Sequence, residues 1–313
     1  IIDSHQSTDG PLFLYLAHQA VHYPDEVPSE YLSKYKDYKN WTGKRKMYAA
    51  MLTAVDESVK NVTLALKDKG MWNDTIIIAT TDNGGPTAVC MVQGSSNGYR
   101  RGGKCTVWEG GTTGDAFLSG PAVESLYDME SEVYTDLFHA VDWLPTLATM
   151  TGSTPEGKPL DGVSHQERLQ GKSQSSPPRE ELFVGYAQFN NMWYGPAVRW
   201  RSWKLLQGKS GGPESRTHFP KGSPAPASGG IWNATYSLFN LDSDPEERHD
   251  VSRDYPMIVD IMRKKLALYQ ESYVPPIQPT DPSCPYNGIE NTTEFGPTYI
   301  PWCDGALEIV YST

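Results

Sequence analysis

Ile76-Ile77-Ile78-Ala79-Thr80-Thr81 runs directly into Asp82-Asn83-Gly84-Gly85. A short apolar and β-branched run of this kind predicts a buried strand. A carboxylate and an amide at its C-terminal end, followed by two glycines, predict a sharp polar turn. Just upstream, Tyr48, Met51, Leu52, Val55, Val59, Val62 and Leu66 recur at steps of three and four, which is one apolar helix face. Gly70 supplies a C-terminal stop. Further upstream, Leu12-Phe13-Leu14-Tyr15-Leu16-Ala17 follows Pro11 and reads as another buried strand. It leads into His18-Gln19-Ala20-Val21-His22-Tyr23, and Pro24 breaks the chain. Strand, helix and strand in this order predict an α/β layer with parallel strands. Polar loops at the C-terminal ends of such strands are where sites form.

Residues 86–115 are Gly-rich and carry Arg100, Arg101, Lys104, Trp108 and Glu109. Ala116-Phe117-Leu118 reads as a short strand, and Val133 to Met150 as a helix interrupted by Pro145. The Ser/Pro/Gly/Lys-rich stretch 153–180 marks a boundary. Beyond it, Leu182-Phe183-Val184, Ala197 to Trp200, Trp203 to Leu206 and Tyr236 to Leu241 predict an antiparallel sheet, with a helix from Tyr255 to Tyr269. The expected division is therefore 1–178 for the α/β part, 179–275 for a smaller α+β domain, and 276–313 for an extended Pro- and Cys-bearing tail.

The 313 residues hold 27 Lys and Arg against 38 Asp and Glu, a net charge of -11. That excludes a general polyanion binder, and no nucleic-acid partner is expected. A local basic site for a single anion remains open. No stretch approaches the roughly 18 apolar residues of a membrane span. Five Asn-X-Ser/Thr sequons, at Asn40, Asn61, Asn73, Asn233 and Asn291, predict a secreted or lysosomal glycoprotein. Cys90 and Cys105 share the Gly-rich segment and are placed to close a loop, while Cys284 and Cys303 lie in the tail. The pairing stays open, and none has the spacing of a zinc site.

Among the polar groups, Asp82 and Asn83 suit a hard divalent cation that takes oxygen ligands, or else only close an Asx turn. Lys104, set among glycines, offers a point positive charge where backbone can approach an anion closely. His22 has the chemistry to hold an anion or protonate a leaving group, and His18 has the same chemistry with less reason to be chosen. Asp244-Pro245-Glu246-Glu247 reads as a turn and a helix N-terminus. No G-x-S-x-G elbow, phosphate loop or other nucleophile motif is present.

Taken in order, PLFLYLAHQAVHYP, TDNGG, GGKCTVWEGG, VDWLPTLATMTG, WKLL and LFNLDSDPEERHDVS resemble the type I sulfatases, and among them the arylsulfatase B (N-acetylgalactosamine-4-sulfatase) group. The resemblance covers about residues 11–285 and does not extend to 286–313. It implies an alkaline-phosphatase-like sulfatase fold, of which this chain supplies the C-terminal part of the large mixed-sheet domain plus a smaller C-terminal antiparallel-sheet domain. It implies hydrolysis of sulfate esters, aryl or sugar, by a formylglycine nucleophile with a calcium ion. On matching positions, Asp82 and Asn83 correspond to metal ligands, Lys104 to a sulfate-contacting Lys, and His22 to a His near the sulfate and the leaving oxygen. The family's Cys-x-Pro/Ala-x-Arg motif and paired N-terminal Asp ligands are not in this sequence. The implied partner is therefore an N-terminal sulfatase half, either a separate chain or a segment of a longer one. Cys284 resembles a family Cys that bonds back to that half. Two other functions compete: a catalytically inactive sulfatase-like glycoprotein with a structural, storage or carbohydrate-binding role, and a two-metal phosphatase or phosphodiesterase on the same fold.

Overall fold

The computed structural model describes residues 1–87, 94–127, 133–171, 176–189, 192–210, 236–274, 289–292 and 296–299. Residues 1–268 form one compact unit and residues 269–313 a second. In chain order the helices are α1 (Ser29–Ser33), α2 (Gly43–Asp68), α3 (Glu109–Thr112), α4 (Pro121–Tyr127), α5 (Trp143–Met150), α6 (Gln166–Leu169) and α7 (Pro256–Glu271). The strands are β1 (Ile77–Thr80), β2 (Ala116–Ser119), β3 (Glu181–Phe189), β4 (Met192–Trp200), β5 (Trp203–Gln207), β6 (Tyr236–Asn240), β7 (Ile289–Thr292) and β8 (Gly296–Tyr299).

Helix α2 follows from its sequence at both ends. Thr42 caps it, its hydroxyl accepting from the Arg45 amide at 3.2 Å. At the other end Gly70 takes φ +74°, and the Met71 amide donates back to the Leu66 carbonyl at 2.9 Å. That left-handed residue is the one a glycine accepts without strain. α2 delivers the chain to β1, which pairs antiparallel with β2 in the register Ile77↔Ser119 to Thr80↔Ala116.

The C-terminal sheet has the order β3-β4-β5-β6, antiparallel throughout, as the strand spacing predicts. Its inner face forms the core with Val107 and Trp108, which pack on Ala197, Leu206, Phe239 and Leu241. The Trp108 and Phe239 rings meet edge to face at 5.7 Å. Helix α7 buries Met262 and Leu266. In the second unit, β7 and β8 pair antiparallel.

Three expectations are corrected. Residues 12–17 form no strand: Phe13 and Tyr15 are about four-fifths exposed. A strand exists only with a ladder partner, and none of the described strands pairs with this run. For the same reason no parallel pairing occurs among the described strands. The helix expected from Val133 forms only as a 3-10 turn at Ala140–Asp142 followed by α5. Pro145 lies in the first turn of α5, where a missing amide is harmless. His139 and Asp142 close the turn reciprocally, the Asp142 carboxylate accepting the His139 amide at 2.8 Å.

Candidate active site

The β1–β2 ladder continues past Thr80. The Thr81 amide donates to the Asp115 carbonyl and the Asp115 amide to the Thr81 hydroxyl, each at 3.0 Å. This sets Asp82 on an exposed turn and Asn83 half-buried behind it. The Asp82 carboxylate accepts the Asn83 amide at 2.8 Å, and the Asn83 side-chain NH2 donates to the Gly84 carbonyl at 2.8 Å. The Asp82 carboxylate bonds the next amide, while the Gly84 amide is taken by Gly111, so the turn is not an Asx turn. Orienting the Asn83 amide nitrogen inward leaves its oxygen available as a hard ligand.

The glycines lace this turn to the loop that carries Lys104. The Lys104 amide donates to the Gly85 carbonyl at 3.2 Å, and the Gly84 amide to the Gly111 carbonyl at 3.1 Å. A Cβ on Gly84 would lie 1.9 Å from the Gly110 carbonyl oxygen, and one on Gly103 2.5 Å from that of Gly85. Only glycine permits backbones this close. Asn97 pins the crossing point: its oxygen accepts the Gly85 amide at 2.8 Å, and its NH2 donates to Gly85 and Gly102 carbonyls at 2.9 and 3.0 Å. Asp82, Asn83 and Lys104 are therefore brought together through their backbones. His22 sits on an exposed loop, its Nδ1 2.8 Å from the Tyr23 carbonyl. A carbonyl only accepts, so Nδ1 carries the proton and Nε2 is the nitrogen left for exchange. His18 is exposed as well.

Cys105 is disulfide-bonded, and Cys90, Cys284 and Cys303 lie outside the described residues. So does Asn233, while the side chain of Asn291, on β7, is likewise not described. Asn40, Asn61 and Asn73 are exposed.

Sequence reading missed a buried ionic cluster under the Lys104 loop. Lys204 of β5, fully buried, reaches Glu109 Oε1 at 2.9 Å and Glu247 Oε1 at 2.8 Å. Glu247, also fully buried, accepts the Glu109 amide on Oε2 at 2.7 Å. Arg199 lies 3.4 Å from Glu109 Oε2, and the Thr113 hydroxyl donates to the same oxygen at 3.0 Å. Burial works against the charge of Glu109, but Lys204, Arg199 and these hydrogen bonds outweigh it and hold its pKa at about 2. Burial, with Glu109 adding to it and Lys204 opposing, pushes Glu247 up to about 7. Residues 244–247 therefore correct the expectation of a helix N-terminus. The turn is present, with Asp244 accepting the Arg248 and His249 amides at 3.0 and 2.8 Å, but the next helix begins only at Pro256. The available signal was Lys204, which stands among Trp203, Leu205 and Leu206. A cation in an inward-facing apolar strand requires a carboxylate partner.

A second buried set centres on Asp142, which takes a bidentate grip from Arg179 at 2.6 and 2.7 Å. His165 Nε2 lies 3.3 Å from Asp142, and its Nδ1 2.6 Å from the Tyr134 hydroxyl. Burial disfavours the Asp142 charge, but His165, Arg179 and two backbone amides hold its carboxyl well below the usual range. This set ties α5 to the 161–165 loop and to Arg179.

Asp82 and Asn83 fit a calcium ion as two of its oxygen ligands, and calcium takes six to eight. Among the described residues no group of three or more His, Cys, Asp or Glu is placed to hold a metal.

The architecture is that of the sulfatases, the alkaline-phosphatase-like α/β class. A crystal structure of Ps i-CgsB superposes with a TM-score of 0.62 at 24% identity, covering 83% of this chain and 50% of that one. A crystal structure of Ps i-CgsB with k-i-k-neocarrahexaose gives a TM-score of 0.61 at 22% identity, covering 80% and 48%. The sulfatase family profile matches residues 1–153 and identifies that stretch as sulfatase-family sequence. Over 96% of its length the chain is 35% identical to arylsulfatase J of Mus musculus, and covers 51% of that protein. It is 31% identical to arylsulfatase A of Homo sapiens over 57% of this chain and 32% of that protein. The chain thus spans about half the length of the mouse relative.

Proposed function

We propose that this chain is the C-terminal portion of a calcium-dependent sulfatase of the arylsulfatase type. It hydrolyses an aryl sulfate or a sulfated sugar together with an N-terminal half. The observation that carries this reading is the lock between the two motif loops, in which the Lys104 amide donates to the Gly85 carbonyl. That contact brings the backbone of the Lys104 loop to the turn that follows Asp82 and Asn83. Asp82 and Asn83 would hold a calcium ion together with ligands from the other half, and the ion would supply positive charge to the sulfate oxygens. The nucleophile is a formylglycine belonging to the other half. Lys104 adds a point charge where negative charge grows on the sulfate. His22, with Nδ1 engaged by Tyr23, exchanges a proton at Nε2 with the leaving oxygen.

The partner reading rests on the apolar surface left open. Phe13, Tyr15, Leu16, Leu52 and Phe117 are all exposed. Exposed apolar side chains on three segments suit a covering layer supplied by another part of the protein. Within the family we place the chain beside the arylsulfatase B group on its six motifs, which points to a sulfated amino sugar. A division at about 178/179 and 275/276 belongs to the same reading. Exposure of Asn40, Asn61 and Asn73 suits glycan acceptors of a secreted or lysosomal protein. No described helix is long and apolar enough to cross a membrane.

Intact mass of the native protein with and without reductant, followed by peptide mapping, tests the proposal. A companion polypeptide, or a longer chain, carrying a Cys-x-Pro/Ala-x-Arg cysteine converted to formylglycine supports it. An unconverted or absent cysteine transfers the chain to the non-catalytic, carbohydrate-binding or structural reading.

A further inference from the structure

Glu247, Lys204 and Glu109 come from three places in the sequence: the loop after β6, the strand β5, and the first residue of α3. They converge on the end of α3 that anchors the Lys104 loop. Glu247 grips Glu109 by its backbone amide, and Lys204 grips it by its carboxylate. The Glu247 carbonyl in turn accepts from the Arg101 guanidinium at 2.6 Å, so the loop entering α3 is held from the same residue. Glu247 itself sits at φ +53°, a left-handed conformation that a side-chain-bearing residue keeps only when its surroundings fix it.

The cluster has a mechanical path to the site. The Gly110 amide of α3 donates to the Arg101 carbonyl at 2.7 Å, and the Gly111 carbonyl accepts the Gly84 amide beside Asn83. The Gly103 position is in close contact with the Gly85 carbonyl. A small movement of α3 therefore reaches both Lys104 and the Asp82–Asn83 turn.

We propose that Lys204 and Glu247 are positioning residues that act through Glu109 on the Lys104 loop, holding it in place while Glu247 is protonated and loosening it when Glu247 ionises. This deepens the sulfatase reading and rests on it for the role of Lys104.

Burial gives the direction. The groups facing Glu247 are Lys204 from β5, Glu109 from α3, Arg101 from the loop before α3, and Glu246 and Arg248 from its own loop, which pair with each other. Arg199 and Lys204 both reach Glu109, and Lys204 is the cation that also faces the Glu247 carboxylate, so burial is what disfavours the charged form of Glu247. Its raised pKa, about 7, places the ionisation near neutrality. Stability from the neutral form is complete below the ordinary glutamate value and is lost as pH rises through the folded value.

The test is hydrogen exchange of the native protein, read by mass spectrometry over peptides covering 101–113 and 81–85. Rates at about pH 5.5 and about pH 8.5 are each normalised to the unstructured-chain rate. Protection in the wild type is expected to fall by about tenfold at the higher pH. Glu247→Gln, which keeps the shape of the neutral acid, is expected to retain its acid-side protection at both. Lys204→Met is expected to lose protection at both. An equal fall in wild type and Glu247→Gln, or no fall in wild type, overturns the proposal. The kcat/KM profile on an aryl sulfate separates the two claims, its alkaline limb moving up by about one pH unit in Glu247→Gln. Turnover with Glu247-independent exchange removes the positioning role and leaves the sulfatase. Glu247-dependent exchange without turnover does the reverse.

Discussion

The Nζ of Lys204 lies 2.9 Å from Oε1 of Glu109, so a cation from the C-terminal sheet closes on the carboxylate just beyond the Lys104 loop. The sheet thereby becomes part of the site's support. Trp108, next to Glu109, adds the apolar half of the same joint by packing on Phe239.

Removing one member of this pair leaves a buried charge unpaired, at a cost of roughly 3–5 kcal/mol. Lys204→Met is expected to lower stability by that amount in urea unfolding, and Lys204→Met with Glu109→Gln to recover part of it. A Lys204→Met midpoint equal to wild type would show that the pair carries no weight.

Asp142 gives a pH dependence of the opposite sign. Its carboxyl is held below the ordinary value of 3.8. Its contribution is therefore fully present above that value and is lost as pH falls toward the lowered one. Asp142→Asn is expected to lower the melting temperature at neutral pH and to flatten the acid limb below about pH 4. A variant whose acid limb is unchanged contradicts the assignment.

Backbone crossing distinguishes glycines that look alike in sequence. Gly84→Ala drives a methyl into the Gly110 carbonyl and is expected to cost roughly 1–3 kcal/mol while displacing the turn. Gly43→Ala, at the start of α2 with open space around it, is expected to be neutral or to stabilise by up to about 1 kcal/mol. Thermal denaturation of both ranks them, and a harmless Gly84→Ala would mean the two loops are not laced as described.

Much of this architecture was legible in the sequence. The α2 periodicity, the Gly70 stop and the four strands of the C-terminal sheet all follow from local pattern. The run 12–17 was not, because its pattern describes a strand whose ladder partner is not among the described strands. The backbone convergence of Asp82, Asn83 and Lys104 depends on glycine crossings that only the folded chain displays. Glu247 stayed hidden because a buried acid in a Pro-Glu-Glu turn has the same sequence as a solvated one. The partners that explain its burial, Lys204 and the Glu109 amide, lie 43 and 138 positions away by the numbering.

For the metal, Asp82→Ala is expected to abolish calcium binding and nearly all turnover. Asp244→Ala is expected to keep the ion and to lose about 1–2 kcal/mol through the freed Arg248 and His249 amides. Calorimetric calcium titration of the native protein checks both. Equal loss of calcium in the two variants would mislocate the site.

The measurement closest to the central claim is sulfate release from a small aryl sulfate by the native assembly, comparing wild type with Lys104→Ala. Loss of a charge that stabilises the transition state is expected to lower kcat by roughly 10²-fold or more, with the melting temperature preserved. Unchanged turnover in Lys104→Ala, or no sulfate release from the wild type once formylglycine is present, would contradict the account.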